Sequence, residues 1–158
     1  MTHHRRRNNG TDPSKINETV ELSPAQRYAA FKQTQAKQRT VAAEFARSMP
    51  FELDEFQMQA NDALEAGDNV LVAAPTGAGK TVAADFAIYL AQTRNVKAFY
   101  TTPIKALSNQ KYHDLVDQYG TDKVGLLTGD TSINSEADIV VMTTEVLRNM
   151  LYEHSVTL

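Results

Sequence analysis

The sequence predicts an α/β protein with a parallel sheet covered by helices on both faces, and three features carry that prediction. Short apolar runs at Asn69–Ala73, Val96–Thr101, Val124–Leu127 and Ile139–Met142 alternate with segments of helical spacing. Such alternation builds βαβ units, whose parallel strands are buried between helices. The first run passes directly into a Gly/Pro turn, Ala74-Pro-Thr-Gly-Ala-Gly-Lys-Thr81, and that turn into a helix. A length of 158 residues with 42% hydrophobic content suits one domain with one core.

Along the chain, residues 1–22 are polar and without periodicity, and a disordered basic tail containing Arg5–Arg7 is expected. Ser23 then suits a helix N-cap, with Pro24 at the first helical position and Gln26 where a capping box requires it. Ala, Gln, Lys and Arg favour one helix through residues 23–49, which Pro50 ends. Its apolar stripe of Tyr28, Phe31, Val41 and Phe45 is thin, as for a helix lying on the surface of something larger. From Phe51 the texture changes. A helix capped by Asp54 is expected to end near Gly67. Further helices are expected over Thr81–Ala91, over Ile104–Tyr119 with Leu107, Tyr112, Leu115 and Val116 inward, and over Thr143–Tyr152 behind a Thr cap.

Composition narrows the classes. Without cysteine there is no disulfide framework, zinc-thiolate site or thiol nucleophile. No apolar run approaches the ~20 residues of a membrane span, and the basic N-terminus lacks the apolar stretch of a secretory signal. A cytoplasmic protein without a membrane partner is expected. The net charge of −3 conceals an asymmetry: residues 1–50 hold nine of the 16 Lys+Arg and four of the 19 Asp+Glu, and the remainder is acidic. A basic arm of this kind can meet phosphate, although a solvated tail has the same composition.

The turn at 74–81 has the spacing of a Walker A phosphate loop, with Ala74 in place of the usual first Gly. Gly77 and Gly79 let successive N–H groups curl into an anion nest, and the following helix offers its positive end to phosphate. Pro75, Thr76, Gly77, Ala78 and Gly79 would line that cradle. Lys80 can neutralise the β and γ phosphates and the Thr81 hydroxyl can ligate Mg²⁺, which makes these two the candidate catalytic residues, Thr81 also the candidate metal ligand, and ATP with Mg²⁺ the expected cofactors.

Three further segments separate the possibilities. Phe51-Glu-Leu-Asp-Glu-Phe-Gln57 precedes the loop. Thr101-Thr-Pro-Ile-Lys-Ala-Leu-Ser-Asn-Gln-Lys111 follows a strand and opens a helix. Leu127-Thr-Gly-Asp130 and Met142-Thr-Thr-Glu-Val-Leu-Arg148 come next. With these the chain resembles the superfamily-two DExH and DEAD-box helicases, and within them the superkiller-type group of RNA helicases, over roughly residues 50–152. The resemblance implies that residues 50–158 are a partial first RecA-like lobe. It implies that Gln57 recognises adenine and Phe51 stacks on it. It implies that Thr102, Pro103, Lys105, Thr128, Gly129, Thr143, Thr144 and Glu145 meet the backbone of single-stranded nucleic acid, RNA in this group. Backbone N–H groups, hydroxyls and one cation can hold phosphate without reading sequence. Asp85 and His113 receive no role, and a solvated position is expected for each.

The family's acidic motif, an apolar strand ending Asp-Glu-x-His or Asp-Glu-x-Asp, is not in this sequence. The Asp-Glu pair that is present, Asp54-Glu55, follows no strand. The expectation is therefore an N-terminal fragment, inactive alone, of an ATP-dependent helicase whose second RecA-like lobe is its partner. Such a piece would have exposed sheet edges. A DNA helicase of the same superfamily, a P-loop ATPase with no nucleic-acid partner and a non-enzymatic decayed product stay open as alternatives.

Overall fold

The computed structural model describes residues 23–37 and 39–153, so the basic tail of residues 1–22 lies outside the described residues. The chain divides into two compact units, residues 1–38 and 39–158. In the first, helix α1 (Pro24–Lys37) opens with the expected capping box. The Ser23 backbone N–H donates to Gln26 Oε1 at 2.8 Å, and the Gln26 N–H donates to Ser23 Oγ at 3.3 Å. Its aromatic side chains Tyr28 and Phe31 are exposed.

The single helix expected over 23–49 is two helices. Helix α2 (Val41–Ser48) starts anew at Thr40, whose backbone is extended and whose hydroxyl accepts from the Ala43 N–H at 3.1 Å. A threonine that can satisfy a free N–H from outside the helix favours a cap over a helix interior. The cap is reinforced from elsewhere: the Glu65 carboxylate accepts from the Val41 and Ala42 N–H groups at 3.0 and 2.8 Å. Negative charge at that end also suits the helix dipole. Helix α3 (Glu55–Ala66) runs from Asp54 to Gly67, which closes it in a left-handed conformation at φ 92°. Helix α4 (Thr81–Thr93) packs on both. Phe45 of α2 meets the Phe86 ring of α4 edge-on, with centroids 5.3 Å apart, in a cluster with Ala42, Val82 and Leu90.

The sheet comprises β1 (Ala98–Thr102), β2 (Val124–Thr128), β3 (Thr131–Ile133) and β4 (Ile139–Thr143) in the order β1-β4-β2-β3. Strand β4 is parallel to both β1 and β2, with Val141 beside Tyr100 on one side and Leu126 on the other. Helix α5 (Lys105–Tyr119) follows β1, and α6 (Thr144–Tyr152) follows β4. Alternation along β4 divides its residues between two cores. Ile139 and Val141 pack with Ile88, Leu115, Val124 and Leu126, whereas Val140 and Met142 pack with Phe99, Val146, Leu147 and Met150. The parallel, helix-covered sheet expected from the sequence is present.

Two local expectations need correction, and one element is new. Asn69–Ala73 is irregular rather than a strand, and Leu71 is 93% exposed. A short apolar run becomes a strand only where a neighbour accepts its ladder of hydrogen bonds, and among the described residues none pairs with it. Leu107 faces solvent, and Ser108, fully buried, occupies the inward position on that turn of α5. Strand β3 was not foreseen. It returns antiparallel to β2 and leads into Asn134, whose carbonyl lies so close to Gly125 that a Cβ there would sit 2.1 Å from it. No described helix is long and apolar enough to cross a membrane.

Candidate nucleic-acid interface and phosphate loop

The phosphate loop bends at two glycines with positive φ, Gly77 at 85° and Gly79 at 73°, a region open to Gly at little cost. Lys80 sits at the start of α4 and folds back on its own loop, its Nζ donating to the Ala74 and Pro75 carbonyls at 2.6 and 2.8 Å. Thr81 is exposed on the first turn, and Pro75, Thr76 and Ala78 complete the outer rim.

Gln57 braces this loop from α3. Buried to 4% exposure, it accepts from the Asp54 N–H at 2.9 Å and donates through Nε2 to the Gly79 carbonyl at 3.0 Å. The approach is close enough that a Cβ on Gly79 would lie 2.5 Å from Gln57 Nε2. A primary amide has two donor hydrogens and two acceptor lone pairs, so one of each remains. Phe51, half exposed, borders an open pocket of about 570 Å³ with Ala46, Arg47, Met49, Leu53 and Met58. The Asp54-Glu55 pair caps α3 and is the start of that helix.

The second set of residues converges. Thr102 ends β1, Thr128 ends β2 and Thr143 ends β4, and these strands are neighbours with Thr102 beside Thr143 and Leu127 beside Met142. The loops that follow form a groove of about 330 Å³ lined by Pro103, Lys105, Thr128, Gly129, Asp130, Thr143 and Glu145. Thr144 is exposed at the start of α6, where Thr143 holds the cap position without a side-chain hydrogen bond to the helix. Thr102 is turned inward: its hydroxyl donates to the Ile104 carbonyl at 2.9 Å and shares a 2.7 Å hydrogen bond with Ser108. It braces the turn that presents Pro103 and Lys105.

Two residues do more than the sequence reading assigned them. Asp130 reaches into the groove, where Lys105 Nζ donates to its Oδ2 at 2.6 Å and Thr128 Oγ1 to its Oδ1 at 3.0 Å. The Lys105 bond, then that of Thr128, hold its carboxyl below the ordinary carboxylate value. A like-charged neighbour is not what a phosphate site advertises, so only the adjacency of Thr128 and Gly129 could have pointed to it. Asp85, expected to be solvated, instead pairs with Lys111 at 2.6 Å and is 32% exposed against 17% for the lysine. That bond ties α4, which starts at the phosphate loop, to α5, which starts at Lys105. Burial first, then the charge of Asp85 and the proximity of Tyr89, push the Tyr119 hydroxyl pKa up. His113 is exposed beside the Tyr112 ring.

A family described as DEAD/DEAH box helicase matches residues 54–158. This chain belongs to the DEAD/DEAH box helicase family. Among the proteins it is similar to, the probable helicase HelY of Mycobacterium leprae is 60% identical over 116 residues, which cover 73% of this chain and 13% of HelY. The antiviral helicase SKI2 of Saccharomyces cerevisiae is 55% identical over 107 residues, covering 68% of this chain and 8% of SKI2. The crystal structure of a hypothetical ATP-dependent RNA helicase from Sulfolobus tokodaii matches with a TM-score of 0.52 at 28% identity, over 72% of this chain and 36% of that one. The chain spans only a small part of the length of the curated relatives it matches. Within this helicase family the sheet is RecA-like, as the resemblance implied, and membership implies the use of a nucleotide.

Proposed function

We propose that the whole protein is an ATP-dependent helicase moving on single-stranded nucleic acid, RNA by preference, and that this chain supplies its phosphate loop and part of its strand-contacting surface. The observation carrying this reading is the convergence of Pro103 and Lys105, Thr128–Asp130, and Thr143 and Glu145 on one groove at the same end of three adjacent strands. Hydroxyls, backbone N–H groups and one lysine suit phosphate oxygens and carry no base code.

In this reading Lys80 leaves the carbonyls of Ala74 and Pro75 to neutralise the β and γ phosphates, and the N–H groups between Gly77 and Thr81 surround them. Gln57 keeps one N–H and one lone pair for the adenine edge while its other bonds hold the loop, and Phe51 stacks on the base. Among the described residues no group of three or more His, Cys, Asp or Glu could hold a metal ion. The single Thr81 hydroxyl nevertheless fits magnesium, which is held largely by substrate phosphates and water. Bound there, the ion would neutralise phosphate charge. A second RecA-like lobe is the proposed partner, and the cytoplasm the proposed setting for a chain without cysteine. The name of the Sulfolobus tokodaii protein supports RNA over DNA.

The test is nucleotide and strand binding by this chain. ATP should bind more tightly than GTP, Lys80→Ala should weaken it about ten- to a hundred-fold, as for a lost charge-assisted bond, and Gln57→Glu should narrow the ATP-to-GTP preference. Equal affinity for the two nucleotides would sink the adenine assignment. Preference for single-stranded DNA over RNA would move the reading to a DNA helicase. Strand binding indifferent to Lys105→Met would leave a P-loop ATPase without a nucleic-acid partner.

A further inference from the structure

Asp130 makes an unusual companion for Lys105. Its carboxylate accepts from Lys105 Nζ at 2.6 Å, from Thr128 Oγ1 at 3.0 Å and from Thr131 Oγ1 at 3.4 Å. One cation and hydroxyls gathered on a single oxyanion are the donor set that would hold a phosphate diester. Lys105 and Thr128 are also two of the residues assigned to the strand. The anion in their grasp is the chain's own.

We propose that Asp130 is an internal mimic of the nucleic-acid phosphate, holding Lys105 and Thr128 in a phosphate-binding arrangement and competing with the strand for them. Seating a strand phosphate then requires the carboxylate to yield Lys105, so Asp130 sets how tightly the groove holds any backbone. Gly129 beside it brings no side chain into the gap, and nothing stands within 4 Å of where its Cβ would be, which leaves the turn room to swing the carboxylate aside. Glu145, in the first turn of α6 and also lining the groove, adds a second negative charge that a neutralised Lys105 cannot offset for the incoming strand. Asp130 thereby disfavours loose binding of polyanions and favours ligands that engage several loops at once.

The competition is modest in size. Lys105 and Asp130 are 48% and 67% exposed, and a pair in that setting is worth a factor of about two to five in an equilibrium. This inference rests on the strand-gripping reading above, and the experiment separates the two. Binding of a fluorescently labelled single-stranded oligouridylate to this chain is measured by anisotropy for the wild type, Asp130→Asn, Lys105→Met and the double variant, with thermal melts as the control for folding. Asp130→Asn should tighten binding about two- to five-fold, an advantage that shrinks as salt screens the charges. Lys105→Met should weaken binding, and in its background Asp130→Asn should bring little gain. Weaker or unchanged binding by Asp130→Asn, with Lys105→Met still weakened, would overturn the mimic and leave the groove assignment standing. Weaker binding in that variant would make Asp130 a direct contact to the strand. Binding unaffected by Lys105→Met, or absent throughout, would overturn both.

Discussion

Gln57 Nε2 donates to the carbonyl oxygen of Gly79 at 3.0 Å, so a residue of the α3 cap holds the bend of the phosphate loop. The same amide accepts the Asp54 N–H. The start of α3 and the geometry of the loop are therefore set by one side chain.

Gly79→Ala should damage the loop in two ways. The residue has a φ of 73°, and its Cβ would lie 2.5 Å from Gln57 Nε2. Backbone strain of about 1–3 kcal/mol adds to the lost amide bond. Calorimetric titration with ATP should show binding weakened at least about ten-fold, corresponding to ~1.4 kcal/mol. Wild-type affinity would mean that the loop tolerates another bend.

Lys111→Met should leave the partly buried Asp85 carboxylate without its cation, at a cost of about 1–3 kcal/mol in urea unfolding. Asp85→Asn combined with Lys111→Met should cost less than the two single changes together, as expected for residues in contact. Asp85→Asn should also lower the raised Tyr119 pKa, because Asp85 is one of the charges that raise it. Additive costs and an unmoved tyrosine titration would remove the link between α4 and α5.

The Lys105–Asp130 pair predicts a titration. Asp130 has its carboxyl held below the ordinary 3.8 by the Lys105 bond first and the Thr128 bond second. A depressed carboxylate supplies its interaction above the ordinary value and loses it as pH falls through the depressed one. The pair is thus intact at neutral pH and opens only below the ordinary carboxylate value. Carbon-detected NMR of Asp130 should show a midpoint below 3.8, rising in Lys105→Met. An unchanged midpoint in that variant would show that the bond does not persist in solution.

Leu115 and Leu71 should respond oppositely to truncation. Leu115 is 1% exposed in the core beneath α5, and Leu115→Ala should cost about 2–5 kcal/mol. Leu71 is 93% exposed, and Leu71→Ser should fall within about 0.5 kcal/mol of wild type. A large cost at Leu71 would show that residues 69–73 are packed in solution.

The elements most legible in the sequence were those whose determinants are local. Ser23 with Gln26, Asp54 with Gly67, and the Gly-Lys-Thr of the loop each specify a helix end or turn within a few residues, and each appears where expected. The β2 and β4 strands were legible because both of their faces are buried and apolar. The misses depend on partners distant in sequence. Residues 69–73 have strand composition, but no described strand pairs with them. The break before α2 is reinforced by Glu65, 23 and 24 residues away from the N–H groups it receives. The groove could be reached from family resemblance, but its occupant could not. Asp130 and Lys105 are 25 residues apart, and only the order of strands in the sheet brings them together.

That long reach of Glu65 bears on where the protein can be trimmed. Its carboxylate closes the open end of α2, and its backbone carbonyl accepts from Arg94 Nη2 at 2.6 Å. A version starting at Pro50 would keep every residue of the phosphate loop and still uncover Phe86, which Phe45 now shields. It would also leave a carboxylate with no amides to receive. For anyone shortening this protein for expression or crystallisation, α2 and its Thr40 cap therefore belong with the phosphate loop and should be kept.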